Sequence, residues 1–281
     1  MQWGDNRKLD FSRTPMVMGI INCTPDSFYP GSRRQITDDA VETACRMAED
    51  GADILDVGGE STRPGSDFTE AEEELERIIP VIEKVRERTA VPISADTRKK
   101  AVAEQALKAG ADIINDISAL RDDPSLGPFL AEVKAPVILM HMRGTPKTMQ
   151  KDPYYEHTVQ EIAEELEESL QRAVQFGIDK NKIIVDPGIG FGKRFHDNLL
   201  ILKHLSAFKR FGCPLMVGLS RKGFLGAVLS KNGDPLPVEQ RLIGSLAANS
   251  FAALAGADIL RVHDVKETVE MVRVLQAVQS A

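Results

Sequence analysis

Three closely related phrases punctuate the chain: "DGADILDVGG" from Asp50, "AGADIINDIS" from Ala109 and "AGADILRVHD" from Ala255. Each sets a glycine after a helical stretch, then a short apolar strand, then polar residues. Glycine suits the left-handed position that closes a helix. Strands that are apolar on both faces belong to a buried parallel sheet. Further strands fit the same scheme, at 16–22, 53–57, 92–96, 112–116, 136–140, 182–186, 214–218 and 258–261. Between them lie amphipathic stretches such as 38–49, 70–88, 99–108, 155–176 and 238–255. Eight strand–helix units without an evident linker predict an α/β fold, a single (β/α)8 TIM barrel domain over residues 1–281, with a doubly wound open sheet as the alternative.

Of the 281 residues, 42% are hydrophobic and 27% charged, an ordinary globular composition. The net charge of −7 argues against a general nucleic-acid binder, while leaving room for a local basic pocket. Cys23, Cys45 and Cys213 show no CxxC spacing, which fits a reducing compartment and neither a disulfide framework nor a zinc site. The opening "MQWGDNRKLDF" has no apolar signal-peptide core, and no apolar run is long enough to span a bilayer. The expectation is a cytoplasmic protein without membrane contact.

Several strand-to-helix connections are long, at 23–36, 58–69, 141–153 and 219–237, whereas the helix-to-strand joints are short. In a barrel the long loops share the C-terminal face, where active sites are built. "MGIINCTPDSFYPGSR", from Met18, shows the pattern at its sharpest: a buried strand leads straight into Asn22, Thr24, Asp26 and Ser27, then a Pro-Gly turn. Other strands end in Asp56, Asp96, Asn115, His141, Asp186, Ser220 with Lys222, and Arg261 with His263. Any one such residue reads as a helix cap or turn residue. A packed barrel has no structural need for so many, because buried charges require partners. Two Asp and an Asn suit a flat heterocycle with an edge of adjacent N–H donors. Arg261, His263 and Lys222 suit an anion at the mouth, although "GLSRKG" alone reads equally well as a solvated basic loop. The acidic "EIAEELEESL" from Glu161 is a solvated helix face rather than a metal site.

"MGIINCTPDSF", "DILDVGGESTRPGS", "ADTRK", "INDIS", "LMHMRGTPKTMQ", "VDPGIGFGK", "GLSRKGFLG" and "RVHDV" together resemble the dihydropteroate synthase family, in order, from Met16 to about Val265. The resemblance implies a pterin-binding barrel of folate biosynthesis. It would be a transferase joining p-aminobenzoate to 6-hydroxymethyl-7,8-dihydropterin diphosphate, giving 7,8-dihydropteroate and pyrophosphate. It further implies Mg2+ as the ion, a homodimer, and a sulfonamide target. Carried over by position, Asp96, Asn115, Met140, Asp186, Phe191, Gly218, Lys222 and Arg261 would form the pterin pocket. Asn22 as metal ligand, with Thr62, Arg63, Arg261 and His263, would hold the diphosphate. Phe28, Pro64, Phe191 and the segment from Gly223 would shape the p-aminobenzoate site. Asp26, Arg63, Asp96 and Lys222 would be the catalytic residues, with Asp26 and Phe28 on a mobile first loop.

The chain departs from the family pattern after the loop phenylalanine, where it reads "YPGSR", and at Gly223, where serine is usual. The expected chemistry is loss of pyrophosphate ahead of nitrogen attack, with Asp96 and Asp186 stabilising charge at the exocyclic methylene. An aromatic amine is neutral at pH 7 and needs no strong base, so Cys23 is read as a packed residue and not a nucleophile. Three competing readings are a methyltransferase barrel acting on a folate, a Schiff-base aldolase using Lys222, and a non-catalytic pterin binder. The first lacks a use for "TPDSF", "STRPGS" and "SRKG" with "RVHD". The second expects its lysine on a strand, and the third has no need of a leaving-group clamp.

Overall fold

A computed structural model describes residues 1–3, 7–13, 15–24, 33–230 and 232–281, so Asp26 and Phe28 lie outside the described residues. A short hairpin, β1 (Gln2–Trp3) and β2 (Arg7–Lys8), precedes β3 (Met16–Asn22). There follow α1 (Arg33–Glu49), β4 (Ile54–Gly58), α2 (Ala71–Arg88), β5 (Ile93–Asp96), α3 (Lys100–Ala109), β6 (Ile113–Asp116) and α4 (Leu126–Val133). The second half runs β7 (Val137–Met140), α5 (Thr158–Gln175), β8 (Ile183–Asp186), α6 (Phe195–Lys203), β9 (Met216–Gly218), α7 (Gly223–Val228), α8 (Leu242–Leu254), β10 (Ile259–Val262) and α9 (Val265–Gln279).

Strands β3 to β10 form one parallel sheet in the order β8-β7-β6-β5-β4-β3-β10-β9. A parallel bridge between Val185 and Leu215 joins its two ends, with the Val185 N–H donating to the Pro214 carbonyl at 2.9 Å. The sheet therefore closes into a (β/α)8 barrel, and the open-sheet alternative does not hold. β3 starts at Met16 as predicted, while the other strands of the barrel start one or two residues later than their apolar patterns predict. The residues dropped are Asp53, Pro92, Asp112, Pro136, Lys182, Pro214, Leu215 and Asp258. Proline has no N–H to give a ladder, yet the carbonyls of Pro92, Pro136 and Pro214 accept from Leu55, Ile114 and Val185 across the seam.

The three aspartates explain the repeated phrase. In each copy the glycine closes the preceding helix with positive φ (Gly51 +100°, Gly110 +114°, Gly256 +96°) and the alanine is buried. The aspartate then binds the start of the neighbouring strand twice. The Asp53 N–H donates to the Val17 carbonyl (2.8 Å) while its carboxylate accepts the Val17 N–H (2.8 Å). Asp112 does the same with Ile93 (2.7 and 2.9 Å), and Asp258 with Leu215 (2.7 and 2.7 Å). "GAD" is thus a strand-entry clasp that sets register at the bottom of the barrel.

Side chains alternate along each strand, and one alternate set meets on the barrel axis. Met16, Met18, Ile54, Ile113, Ile138, Ile184, Met216 and Ile259 form a cluster separate from the larger shell between sheet and helices. Leu9 joins it from below, and Met1, Trp3 and Phe11 pack on it, so the N-terminal residues plug the lower end. The Trp3 indole N–H donates to the Asp112 carboxylate at 3.0 Å.

Asp112 is fully buried and also receives the Arg86 guanidinium at 2.6 Å, whereas Asp53 is exposed. Asp112→Ala leaves the half-buried Arg86 guanidinium, an indole N–H and a backbone N–H short of an acceptor, and is expected to cost about 2–4 kcal/mol. Asp53→Ala is expected to cost about 1 kcal/mol. Urea unfolding of both variants checks this; an equal shift in midpoint would contradict the clasp's dependence on burial.

Candidate active site

Two residues further along the same inward-facing positions, the side chains turn polar. Ile54 is followed by Asp56, Ile113 by Asn115, Ile184 by Asp186 and Ile259 by Arg261, while Ser94 precedes Asp96 on β5. The register sets Asp56 opposite Ser94 and Asp96 opposite Asn115, with Gly58 beside Asp96, Met140 beside Asp186 and Gly218 beside Arg261. The barrel floor is therefore a polar layer resting on an apolar one.

At its centre, Arg261 donates from Nε to Asp56 Oδ2 and from Nη2 to Asp96 Oδ2, both at 2.6 Å. Asn115 Nδ2 donates to the same Asp56 oxygen at 3.2 Å. Asp56 is completely buried, and its Oδ1, Asn115 Oδ1 and Ser94 Oγ have no hydrogen-bond partner. Burial and the neighbouring Asp56 carboxylate push Asp96 up to about 7, against the opposing pull of Arg261. Burial likewise raises Asp186, whose Oδ1 accepts the Gly188 N–H at 2.7 Å. The layer is rich in acceptors, two of them unpaired, and so is suited to a ligand edge that donates several N–H bonds.

An apolar wall stands beside it. Ile117, Met140, Met142, Met149 and Phe191 form a small buried cluster of their own, and Lys222 Nζ lies 4.2 Å from the centre of the Phe191 ring. Burial and Arg261 push the Lys222 ammonium down to about 8. Gly218 opens onto free space, since a Cβ there would meet nothing within 4 Å. The same is true of Gly223, the first residue of α7, so a serine there would fit without strain.

The rim holds the remaining candidates. His263 is exposed; its backbone N–H donates to Ser220 Oγ (3.2 Å), and its Nδ1 pairs with that oxygen at 3.1 Å. With Ser220 O–H donating to Nδ1, the His263 Nε2–H is free to point outward. Desolvation of the ring against the barrel mouth, and then the Arg261 charge, hold this imidazole below its usual range, which keeps it neutral at pH 7. Thr62 is half-buried, and Arg63 and Pro64 are exposed on the β4–α2 loop. That loop is tied to the β7–α5 loop by the Gly65 N–H donating to the Pro146 carbonyl at 3.0 Å. Asn22 ends β3 half-buried, opposite Gly58. Among the described residues no cluster of three or more His, Cys, Asp or Glu side chains could hold a metal ion. One hard amide oxygen fits a magnesium ion that takes its other ligands from water and phosphate. Cys23 is buried with its thiol pushed up to about 12 by desolvation, so it is a packed residue as the sequence suggests.

The structure adds residues to which sequence reasoning gave no role. Asp56 stood among the strand-end residues, but only the fold shows it gripping Arg261. His141 points away from the barrel axis: its Nδ1 accepts from the buried Lys193 Nζ (2.8 Å), and its Nε2 faces Glu165 at 2.9 Å. Lys193 also donates to the Phe191 and His141 carbonyls, at 2.8 and 3.3 Å, and so fixes the segment bearing Phe191. The glycines of "PGIGFGK" permit this close approach. Gly188 has φ +65°, and a Cβ there would sit 1.9 Å from the His141 carbonyl oxygen.

The model of pterin-binding enzymes matches residues 18–263. The dihydropteroate synthase of Escherichia coli is 49% identical over 273 residues, covering 97% of this chain and 94% of its own. That of Bacillus subtilis is 42% identical, with coverage of 96% and 90%. Among solved structures, dihydropteroate synthase of Yersinia pestis in complex with a sulfonamide drug superposes with a TM-score of 0.92 at 45% identity, covering 100% and 99% of the two chains. The Xanthomonas albilineans enzyme with 4-aminobenzoic acid gives 0.90 at 45% identity, covering 97% and 96%. That enzyme in complex with 7,8-dihydropteroate gives 0.87 at 43% identity, again covering 97% and 96%. With the acceptor-lined floor, the apolar wall and the basic rim in place along this shared fold, the chain belongs to the dihydropteroate synthase family.

Proposed function

We propose that the polar floor binds the pterin of 6-hydroxymethyl-7,8-dihydropterin diphosphate, and that the rim loops bring p-aminobenzoate to its exocyclic methylene. The observation that carries this is the single inward layer of Asp56, Asp96, Asn115 and Asp186, with its unpaired acceptors, directly below a basic rim. The complexes of relatives with 4-aminobenzoic acid and 7,8-dihydropteroate support the same pair of ligands. Formation of 7,8-dihydropteroate with one pyrophosphate per product, from both substrates together, is the direct test; pyrophosphate released with no dihydropteroate formed in the presence of p-aminobenzoate would exclude the condensation.

In this reading Asp96, Asn115 and Asp186 accept from the pterin N–H edge, and Met140 and Phe191 bound its faces. Gly218 leaves room for the ring, and Lys222 and Arg261 balance the carboxylates. As pyrophosphate leaves, the methylene becomes electron-poor and the electron-rich ring shares its positive charge. Asp96 and Asp186 lie where they stabilise that charge without reorganising. Arg63, Thr62 and the His263 Nε2–H donate to the departing oxygens. Asn22 would hold magnesium, which supplies charge neutralisation at the diphosphate. Asp26 and Phe28 stay assigned to the first loop, and Phe28, Pro64, Phe191 and Gly223 to the p-aminobenzoate side. A sulfonamide presents an aryl amine para to an acidic group, as p-aminobenzoate does, so we infer that this chain too is a sulfonamide target. No described helix is long and apolar enough to cross a membrane. The described free cysteines are buried, which supports a cytoplasmic setting.

We also infer a homodimer. Helix α8 exposes Ile243, Phe251 and Leu254 on one face, and the adjoining α9 exposes Val274 and Val278. Apolar side chains gathered in this way suit contact with another copy of the chain.

The pH dependence of pterin binding follows from the two shifted groups. Asp96 accepts N–H bonds as a carboxylate, so affinity is expected to fall as pH drops through about 7. Lys222 balances the site only when protonated, so affinity is expected to fall again as pH rises through about 8. Calorimetry with 6-hydroxymethyl-7,8-dihydropterin, on both sides of neutrality, should give a bell. Lys222→Met should remove the alkaline limb and keep the acid limb; a flat profile in the parent chain would take Asp96 out of its acceptor role. For the dimer, sedimentation of Phe251→Glu and Leu254→Glu should show monomers, and a dimer unchanged in both would move the interface elsewhere.

A further inference from the structure

Outside the pterin pocket, a second ionic cluster closes the base of the β4–α2 loop. Glu60 accepts four hydrogen bonds, two on each carboxylate oxygen. Oε1 takes the Thr69 N–H (3.0 Å) and Arg98 Nη2 (2.8 Å); Oε2 takes Arg98 Nε (3.1 Å) and Lys99 Nζ (2.9 Å). The side chains of Glu60, Arg98 and Lys99 are 5%, 7% and 10% exposed. Burial would raise the Glu60 carboxyl, but the bonds from Arg98 and Lys99 outweigh it and hold the group below its usual range. Lys99 also reaches the fully buried Glu74 of α2 at 2.5 Å, and Arg98 pairs with Asp122. Phe68, 54% exposed, lies over both cations, its ring centre 4.9 Å from the Arg98 guanidinium and 4.4 Å from Lys99 Nζ.

The geometry has two consequences. First, one carboxylate joins both ends of the segment 60–69, because Glu60 opens it and Thr69 ends it. Thr62, Arg63 and Pro64 ride on the loop so closed. Second, Arg98 and Lys99 follow Asp96 by two and three residues, so the loop is fastened to the strand end that carries the pterin acceptor. A buried network of this kind is a weak source of stability, since desolvation offsets most of its attraction. What the guanidinium fork adds is direction, because two parallel bonds fix the carboxylate in plane. The Asp67–Lys147 pair on the far side of the loop is 81% and 66% exposed and cannot do the same work.

We infer that Glu60, gripped by Arg98 and Lys99, is a positioning residue that holds Thr62, Arg63 and Pro64 over the Asp96 strand end for the second substrate. The inference rests on the assignment of those three residues to the diphosphate and p-aminobenzoate side. Both Glu60 oxygens are taken up by Thr69, Arg98 and Lys99, so its loss is expected to act on loop geometry and not on the pterin floor.

The test uses the full chain and three variants: Glu60→Gln, Arg98→Lys, which keeps the charge but loses the fork, and Phe68→Ala, whose exposed site leaves the buried charges paired. In Glu60→Gln and Arg98→Lys the KM for p-aminobenzoate should rise about tenfold, with kcat reduced, as expected for misplaced binding groups. Phe68→Ala should shift it in the same direction by less. The Kd for 6-hydroxymethyl-7,8-dihydropterin should stay within about twofold, since the pocket keeps its contacts. Amide hydrogen exchange at 61–69 should accelerate in all three. If Glu60→Gln fails to fold, the other two variants decide. Folded variants with lowered Tm but unchanged p-aminobenzoate KM and unchanged exchange overturn the inference, as does a parallel loss of pterin affinity. Arg63→Ala separates the two levels: if it alters neither kcat nor KM, the assignment of the loop fails, whereas a normal Arg63 effect with silent anchor variants refutes the anchor alone.

Discussion

Arg261 reaches into the barrel between Asp56 and Asp96, and much of the site depends on that grip. Two carboxylates from adjacent strands face the same lumen, one of them fully buried. Without a cation between them their repulsion and desolvation would drive one to bind a proton. The guanidinium comes from β10, two strands away from β4 through β3. It satisfies one oxygen of each acid and leaves Asp56 Oδ1 unpaired in the same layer. A site built this way is neutralised enough to exist in the fold yet still short of donors, which is the condition for recognising a donor-rich heterocycle.

Above this floor, loop placement relies on charged clasps set behind the pocket. Lys193 and His141 join the segment bearing Phe191 to the end of β7. Arg221 pairs with Asp264 (2.6 Å) beside His263 and ties the β9 loop to the β10 loop. Glu60, Arg98 and Lys99 close the loop bearing Thr62, Arg63 and Pro64. Each clasp uses the direction of its hydrogen bonds to set a loop. Buried His141 is pushed down to about 3, first by desolvation and then by Lys193, so it is a neutral link that accepts from one side and donates to Glu165 on the other. Such links are rigid because every donor in them has a fixed acceptor.

Much of the architecture was legible in the sequence. Buried strands, glycine-closed helices and short helix-to-strand joints suffice for a parallel (β/α)8 order, because those features arise from local backbone chemistry and burial. The polar residue ending each strand was visible too, and so was its direction of travel, since alternation along a strand carries an inward apolar residue to an inward polar one two positions later. The strand starts were misjudged where Asp and Pro look like strand residues by pattern. Their role, clasping or accepting across the seam, depends on which strand lies alongside.

The chain alone therefore determined the fold class and the family, and it set Asp96, Asn115 and Asp186 at strand ends. Only the tertiary structure decided the partners. Asp56 and Arg261 are 205 residues apart, Glu60 and Arg98 38, and Lys193 and His141 52. No periodicity or motif links residues at such separations, because a hydrogen bond is set by distance and direction in space, and these exist only once the sheet has closed and its register has brought the strand ends together.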